Sequence, residues 1–344
     1  MKRKLRLKPY LHILKMEQLV HLIKTLDEGV QLPNGTFFNV VLQCFSEFTY
    51  EDEIVDALKT HLSADDVVVN QLLNKLFDLA VIEFFDDELP EALNRYHRQL
   101  LLFDAVNPKN NFEENYGCQS KLRQTHVLVL GIGGIGNFIA TSLAASGVGH
   151  ITLVDFDVVE ISNLNRQILF TENDLGNSKV HAAANRLKAI NQQCIINAIE
   201  KEIHSLQAFE KLLKSIDKID YVVLSADKPV DIVLWASALC KPYKFKYLKC
   251  GYMAYQGLIG PLLGYNTKPY DEIYQSWAVD IQSQDALIHA QNEKHIAPSM
   301  AATNAILANI ATWELLKDIT GICESVLIEQ RILFNLKTME MRFG

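Results

Sequence analysis

Three stretches near the start of the chain repeat apolar residues at helical spacing. Phe37, Val40, Val41, Cys44 and Phe45 form one stripe, and Ile54, Val55, Leu58 and Leu62 form a second within Glu51–Leu62. Thr49, with Asp52 three residues on, predicts a capped start for that second helix. Ser63-Ala64-Asp65-Asp66 opens a third helix with acids in its first turn, where the helix dipole favours them, and that helix continues through Val69, Leu72, Leu73, Leu76 and Leu79. Strand-like stretches lie between Leu5 and Met16, and a short apolar strand, Val81–Phe85, follows the helices. Three small helices flanked by strands describe a winged-helix-like α+β module.

The pattern changes after Asp86-Asp87-Glu88-Leu89-Pro90-Glu91, an acidic run that reads as a linker, and after a second polar stretch from Pro108 to Tyr116. Val127–Leu130 is continuously apolar, as expected of a strand buried on both faces. Strands predicted at Ile151–Val154, Ile195–Ile199 and Tyr221–Leu224 then alternate with helices at Asn137–Ser146, Ser178–Ile190 and Val230–Leu239. Such alternation predicts an α/β fold, a doubly wound and mainly parallel Rossmann-like sheet. The expected division is residues 1–87 and residues 88–344. Pro298–Leu316 comes nearest to a membrane span, but Asn304, Asn309 and Glu314 interrupt it, so it predicts a packed helix. Strands are expected at Ser325–Ile328 and Ile332–Leu336.

Composition narrows the classes. A net charge of −8 argues against a general nucleic-acid binder. The basic start (Lys2, Arg3, Lys4, Arg6, Lys8) runs into Pro9 and mixed polar residues, so it reads as a solvated end or a docking patch for an acidic partner, not a signal peptide. The six cysteines are scattered and form no C-x-x-C pair, which predicts reduced thiols in a cytoplasmic protein and no structural zinc. No stretch of eighteen apolar residues occurs, so no membrane association is expected.

The candidate chemistry begins at Gly131-Ile132-Gly133-Gly134-Ile135-Gly136, between a buried strand and a helix. Glycine lets backbone approach a phosphate, and the helix start offers free N–H groups. The loop alone is equally compatible with a nicotinamide or flavin enzyme, or with a tight turn. Asp155 ends the next strand, 155 − 136 = 19 residues on, where a carboxylate can hold a ribose hydroxyl. Asp157 is either a turn residue or a second carboxylate for Mg²⁺ in a triphosphate site. Ser162-Asn163-Leu164-Asn165-Arg166-Gln167 follows, with Lys179 13 residues after Arg166. Lys179 by itself reads as a solvated helix residue; with Arg166 it makes a phosphate clamp for which hydride transfer has little use.

In this order, Gly131-x-Gly-Gly-x-Gly136, Asp155-x-Asp157, Ser162 to Gln167, Lys179 and Ser225-Ala226-Asp227 resemble the E1-like (ThiF/MoeB-type) adenylating superfamily, over roughly Asn94–Pro261. The resemblance implies an ATP-dependent adenylyltransferase that turns a carboxylate into its acyl-adenylate. It places ATP against Gly131, Gly133, Gly134, Gly136 and Asn163, the ribose on Asp155, the phosphates on Arg166 and Lys179, and Mg²⁺ with the reacting end at Asp157 and Asp227. Arg95-Tyr96-His97-Arg98-Gln99 is similar to the family segment whose arginine reaches across a homodimer, which makes Arg98 a candidate arginine finger; otherwise it is a surface arginine.

Two departures refine the expectation. The missing cysteine pairs set the chain apart from stand-alone members that hold zinc, and Cys250 reads as a small buried residue, not a thioester nucleophile. The N-terminal module resembles the precursor-recognition domain of the superfamily's peptide-modifying branch, of the microcin and pantocin types, and the absent zinc pairs favour the latter. That branch implies a short ribosomally made precursor peptide as substrate, with a glutamate side chain as one possible activated group and cyclisation as its sequel. Such a module would add the peptide as a strand to a sheet edge walled by Leu5–Leu14 and Val67–Leu79. The alternatives are a sulfur-carrier or ubiquitin-like protein adenylyltransferase and, on the same sheet, a nicotinamide-dependent oxidoreductase.

Overall fold

A computed structural model describes residues 3–85, 90–275 and 297–344. Most of the acidic run expected as a linker lies outside the described residues. The chain falls into two compact units, Met1–Cys118 and Gln119–Gly344.

In the first unit, β1 (Lys4–Leu7) pairs antiparallel with β5 (Ile82–Phe85), and β2 (His12–Lys15), β3 (Leu19–Ile23) and β4 (Gly29–Pro33) form a three-stranded sheet. Between them run α1 (Thr36–Glu47), α2 (Glu51–Leu62) and α3 (Asp66–Asp78). Most of the apolar stripes do what their spacing predicts: Val41, Cys44, Phe45, Ile54, Leu58, Val69, Leu73 and Leu76 bury around Leu5, Leu22 and Ile82. Phe37 does not: it is exposed, and Phe38, three residues before Val41 and seven before Phe45 on the same helix face, takes the core position. The start of α2 differs from the expectation. Tyr50 caps it without a side-chain bond, because the Thr49 carbonyl is engaged by the Leu5 N–H and draws Thr49 into pairing with β1. Asp65 caps α3, accepting from the Val68 N–H. The unit continues into α4 (His97–Val106), where Asp104 accepts from Lys8 Nζ at 2.6 Å and from the Tyr10 hydroxyl at 2.7 Å.

The second unit is built on eight strands in the order β13-β12-β11-β10-β9-β6-β7-β8. Here β6 is His126–Leu130, β7 His150–Asp155, β8 Ile195–Glu200, β9 Tyr221–Leu224, β10 Lys246–Met253, β11 Gln256–Gly264, β12 Ile332–Asn335 and β13 Glu340–Phe343. β10, β9, β6, β7 and β8 run parallel, and β11 to β13 extend the sheet as an antiparallel meander. All five residues of β6 are buried: the apolar run Val127–Leu130 as expected of a strand covered on both faces, and His126 with them. Following α5 (Phe112–Gln124), the crossover helices are α6 (Gly134–Ser146), α7 (Lys179–Ile190), α8 (Leu206–Lys214) and α9 (Ile232–Tyr243). The short α10 (Tyr270–Ile273) precedes α11 (Ala301–Thr320), which packs along α6 and β10. No described helix is long and apolar enough to cross a membrane.

One expected strand is absent. Ser325–Ile328 forms turns and a single bridge from Ile328 to Leu262. The Glu314 carboxylate on α11 accepts from Ser325 Oγ at 2.9 Å and from the Val326 N–H at 2.8 Å, which pins the segment to the helix. The doubly wound sheet itself is as expected, and its strand order reverses between β6 and β9. In open α/β sheets, ligands bind beyond the carboxyl ends of the strands at such a point.

Candidate functional site

Gly131 follows β6 and Ser225 follows β9, so the reversal in strand order brings them together. Ser225 Oγ donates to the Gly131 carbonyl at 2.8 Å. The loop needs glycine for reasons that differ by position. Gly131 has φ +93°, and a Cβ there would lie 2.6 Å from the Ala226 nitrogen. A Cβ on Gly136 would overlap the Gly131 carbonyl, and one on Gly134 would overlap the Asn304 carboxamide. Gly133, the N-cap of α6, faces open space. The open side of the turn therefore lies at the helix start, where N–H groups are unpaired and an anion is favoured.

Asp155, at the end of β7, ties this loop down. Its Oδ2 accepts from the Ile132 N–H at 2.6 Å and its Oδ1 from the Asp157 N–H at 2.9 Å. Asp157 pairs with Lys179, the first residue of α7: Nζ donates to Oδ2 at 2.7 Å, and the Lys179 N–H to the Asp157 carbonyl at 3.0 Å. Lys179 is buried, so the pair is a built feature and not a solvated helix contact. Asp157, half-exposed, answers that charge.

The segment between β7 and α7 folds around Asn163, which is buried and accepts from the Glu160 N–H through Oδ1. The Asn163 carbonyl accepts from the Arg166 and Gln167 N–H groups at 3.0 and 2.9 Å, curling the chain so that Arg166 turns back toward the glycine loop. Its Cδ lies 3.6 Å from the Cβ position of Gly134, and Nη1 donates to the Ser162 carbonyl at 2.7 Å. The Asn165 carbonyl accepts from the Ala301 N–H at 3.1 Å, which joins the start of α11 to the same place.

Asp227, two residues beyond Ser225, is exposed. Beside it Lys249 on β10 donates to the Ala226 carbonyl at 3.1 Å. Burial pulls the Lys249 ammonium below the usual lysine range, and Asp227 partly restores it. Cys250 is buried next door, with its thiol pushed up to about 12 by burial, which disfavours a thiolate nucleophile. Arg98 lies in the first unit, exposed on the first turn of α4.

The second unit thus brings Gly131, Gly133, Gly134, Gly136, Asp155, Asp157, Asn163, Arg166, Lys179 and Asp227 to one end of the sheet. Two neighbours of that end escape sequence reasoning. Lys249 sits in a strand that period-two alternation does not reveal. Asn304 lies inside an apolar helical stripe, fully buried, with both carboxamide atoms unpartnered. The register of β10 on β9 is the signal that finds Lys249, and the overlap with Gly134 is the one that finds Asn304.

Chemically, the arrangement offers N–H groups at the start of α6 and the Arg166 side chain beside Gly134 to an anion, with the Lys179–Asp157 pair and the Asp155 and Asp227 carboxylates at the same end of the sheet. The donor set suits Mg²⁺, which accepts few protein oxygens and leaves its other positions to phosphate and water. Asp227 is the freer of the two candidate ligands, since Asp157 already holds Lys179.

Comparison with known proteins gives the same neighbourhood. The chain is 38% identical over 120 residues to a probable molybdopterin-synthase adenylyltransferase of Porphyra purpurea, covering 35% of this chain and 29% of that one. It is 38% identical over 122 residues to a sulfur carrier protein adenylyltransferase of Thermus thermophilus, covering 36% and 42%. It is 31% identical over 151 residues to a tRNA threonylcarbamoyladenosine dehydratase of Haemophilus influenzae, covering 41% and 56%. The chain therefore matches less than two thirds of each of these curated relatives. Among solved structures, Escherichia coli MccB with ATP superposes with a TM-score of 0.79 at 23% identity, covering 99% of this chain and 96% of that one. The microcin C7 biosynthetic enzyme MccB in complex with N-formylated MccA gives 0.80 at 23%, again covering 99% and 96%. PaaA gives 0.75 at 22%, covering 98% of each. These similarities establish the fold over nearly the whole chain. The model of the ThiF family matches residues 96–343, from the start of α4 through the whole sheet, and the chain belongs to that family.

Proposed function

We propose that the chain uses ATP to adenylate a carboxylate on a short, ribosomally made precursor peptide. The observation that carries this reading is Arg166 folded against Gly134, with the buried Lys179–Asp157 pair on the next helix. A cation clamp at the phosphate end of a dinucleotide-type loop serves a reaction that expels pyrophosphate. The carboxylate oxygen attacks the α-phosphorus, the bond to the β-phosphate oxygen breaks, and pyrophosphate departs with its electrons. The glycine loop, Asn163 and Asp155 hold the nucleotide. Arg166 and Lys179 meet charge that grows on the phosphate oxygens, an electrostatic role that mutation elsewhere values at roughly 10²- to 10³-fold per donor. Mg²⁺, held by Asp227 and Asp157, would supply Lewis-acid neutralisation of the polyphosphate.

The peptide half of the proposal rests on architecture. MccB with MccA matches this chain from end to end, N-terminal unit included, whereas the sulfur-carrier relatives match only part of it. Residues 1–87 act as the recognition module and residues 88–344 as the adenylation domain. The enzyme works in the cytoplasm as a homodimer, with Arg98 completing the site of its partner. Cyclisation through a glutamate side chain is the sequel this reading favours. The second reading, adenylation of a sulfur-carrier protein, draws on the names of the sequence relatives.

Trapping with hydroxylamine separates the readings. Incubation with Mg-ATP and a pool of short synthetic peptides should give peptide hydroxamate and AMP in equal amounts. Hydroxamate on a small carrier protein but on no peptide would favour the second reading, and no ATP consumption with either carboxylate substrate would overturn both.

A further inference from the structure

β10 runs apolar through Tyr247 and Leu248, both buried, and then places a lysine. Its register sets Lys249 opposite Leu224, the last residue of β9, at the carboxyl end of the parallel strands. From there Nζ reaches the Ala226 carbonyl at 3.1 Å, and Ala226 is the residue that abuts Gly131. Lys249 is thus one peptide group away from the glycine loop, on the β9 side, whereas Arg166 and Lys179 approach it from the β7 side.

What sets Lys249 apart among the described residues is that no carboxylate pairs with it. Lys8, Lys179 and Lys317 are buried, and each holds a carboxylate, at 2.6, 2.7 and 2.7 Å. Lys246, on the same strand, pairs with Asp318 at 2.8 Å. Among the described residues no carboxylate lies within ion-pair distance of Lys249; Asp227 acts on it only through space. A half-buried ammonium held by one neutral carbonyl is costly unless an anion completes its surroundings. The reaction proposed above brings two anions together, the polyphosphate and the carboxylate. The phosphate side already has its cations.

We propose that Lys249 is a substrate-binding residue whose ammonium pairs with the carboxylate about to be adenylated and holds it on the β9 side of the glycine loop. The pairing orients the attacking oxygen and offsets its repulsion from the phosphates. This assignment rests on the adenylation reading.

The test uses full-length enzyme, a fluorescent ATP analogue, and the short synthetic peptide that best supports ATP–pyrophosphate exchange in the wild type. In Lys249→Met, similar in volume and uncharged, binding of the ATP analogue should be unchanged while KM for the peptide rises roughly 10- to 100-fold, the usual span for a lost charged hydrogen bond. Lys249→Arg should recover most of that loss. Weakened ATP-analogue binding in Lys249→Met would make the residue a phosphate contact, and an unchanged peptide KM would make it structural; either result overturns the proposal. A wild type that supports no exchange with any peptide defeats the peptide-adenylation reading on which this assignment rests, before a variant is compared.

Discussion

Gly133 and Gly136 lie three residues apart and answer to different demands. A Cβ on Gly136 would press on the Gly131 carbonyl and come within 2.7 Å of Ser225 Oγ, and backbone cannot give way cheaply. Gly136→Ala should therefore lower the free energy of unfolding by about 1–3 kcal/mol, read from urea midpoints. Gly133 faces open space, so Gly133→Ala should cost no more than about 1 kcal/mol, the weaker capping of Ala. Its loss should fall instead on ATP affinity, because the methyl group would stand where phosphate approaches. Asp157→Asn would leave buried Lys179 without its counter-charge. With the Asp157 side chain 49% exposed, the usual penalty for breaking a buried pair is discounted to about 1–2 kcal/mol, which denaturant melts would detect. At this scale the sequence was legible wherever one local segment holds the chemistry: Asp155, Arg166 and Lys179 stand in a spacing that survives without the fold. Lys249 and Asn304 were illegible because their meaning is tertiary. One gains it from strand register and the other from touching Gly134.

Elements brought a different mixture. Helix α2 spans Glu51–Leu62, the range its apolar stripe predicted, since amphipathic spacing is a property of the helix alone. The β10–β11 hairpin shows no clean alternation to predict two strands: adjacent Tyr247 and Leu248 are both buried between Lys246 and Lys249, and Gly257, Gly260 and Pro261 are residues that usually weaken strands. Ser325–Ile328 reads as a strand until Glu314 claims its polar groups. Two pairings between elements carry testable stability. Asp318 on α11 accepts from Lys246 on β10 at 2.8 Å and from the Tyr221 hydroxyl on β9 at 2.7 Å. Asp318→Ala strands both partners and should cost about 2–4 kcal/mol in the same melts. At the other end of the sheet His126 and His150 stack at 3.7 Å, His126 donating to the Lys218 carbonyl. Burial lowers both imidazoles from 6.5, and His150 lowers His126 further, against the pull of Asp217 and Asp220. A folded chain that binds these protons less readily than the unfolded one keeps its full stability above pH 6.5 and loses it as the pH falls below that value. Urea midpoints from pH 8 to 5 should decline below about 6.5, and His126→Asn with His150→Gln should flatten that decline.

For the whole molecule, the decisive feature is the reversal of strand order between β6 and β9, which creates one cleft end where loop, clamp and carboxylates meet. Apolar runs announce the parallel core of this sheet, the strand at β12 and the strand-like stretch at β2; β13, exposed throughout, and β4, which begins on Gly29 and ends on Pro33, carry no such run. The order of the sheet also fixes which experiment is most direct. Pyrophosphate exchange into ATP reports adenylate formation alone, independent of any later attack on the adenylate. With a short peptide as acyl donor, the wild-type chain should catalyse exchange that stops when peptide is withheld, and Arg166→Ala and Asp227→Ala should each lower it by roughly 10²-fold or more while leaving the urea midpoint in place. Exchange that persists undiminished in both variants, or a cleft that binds NADH and not ATP, would contradict the account.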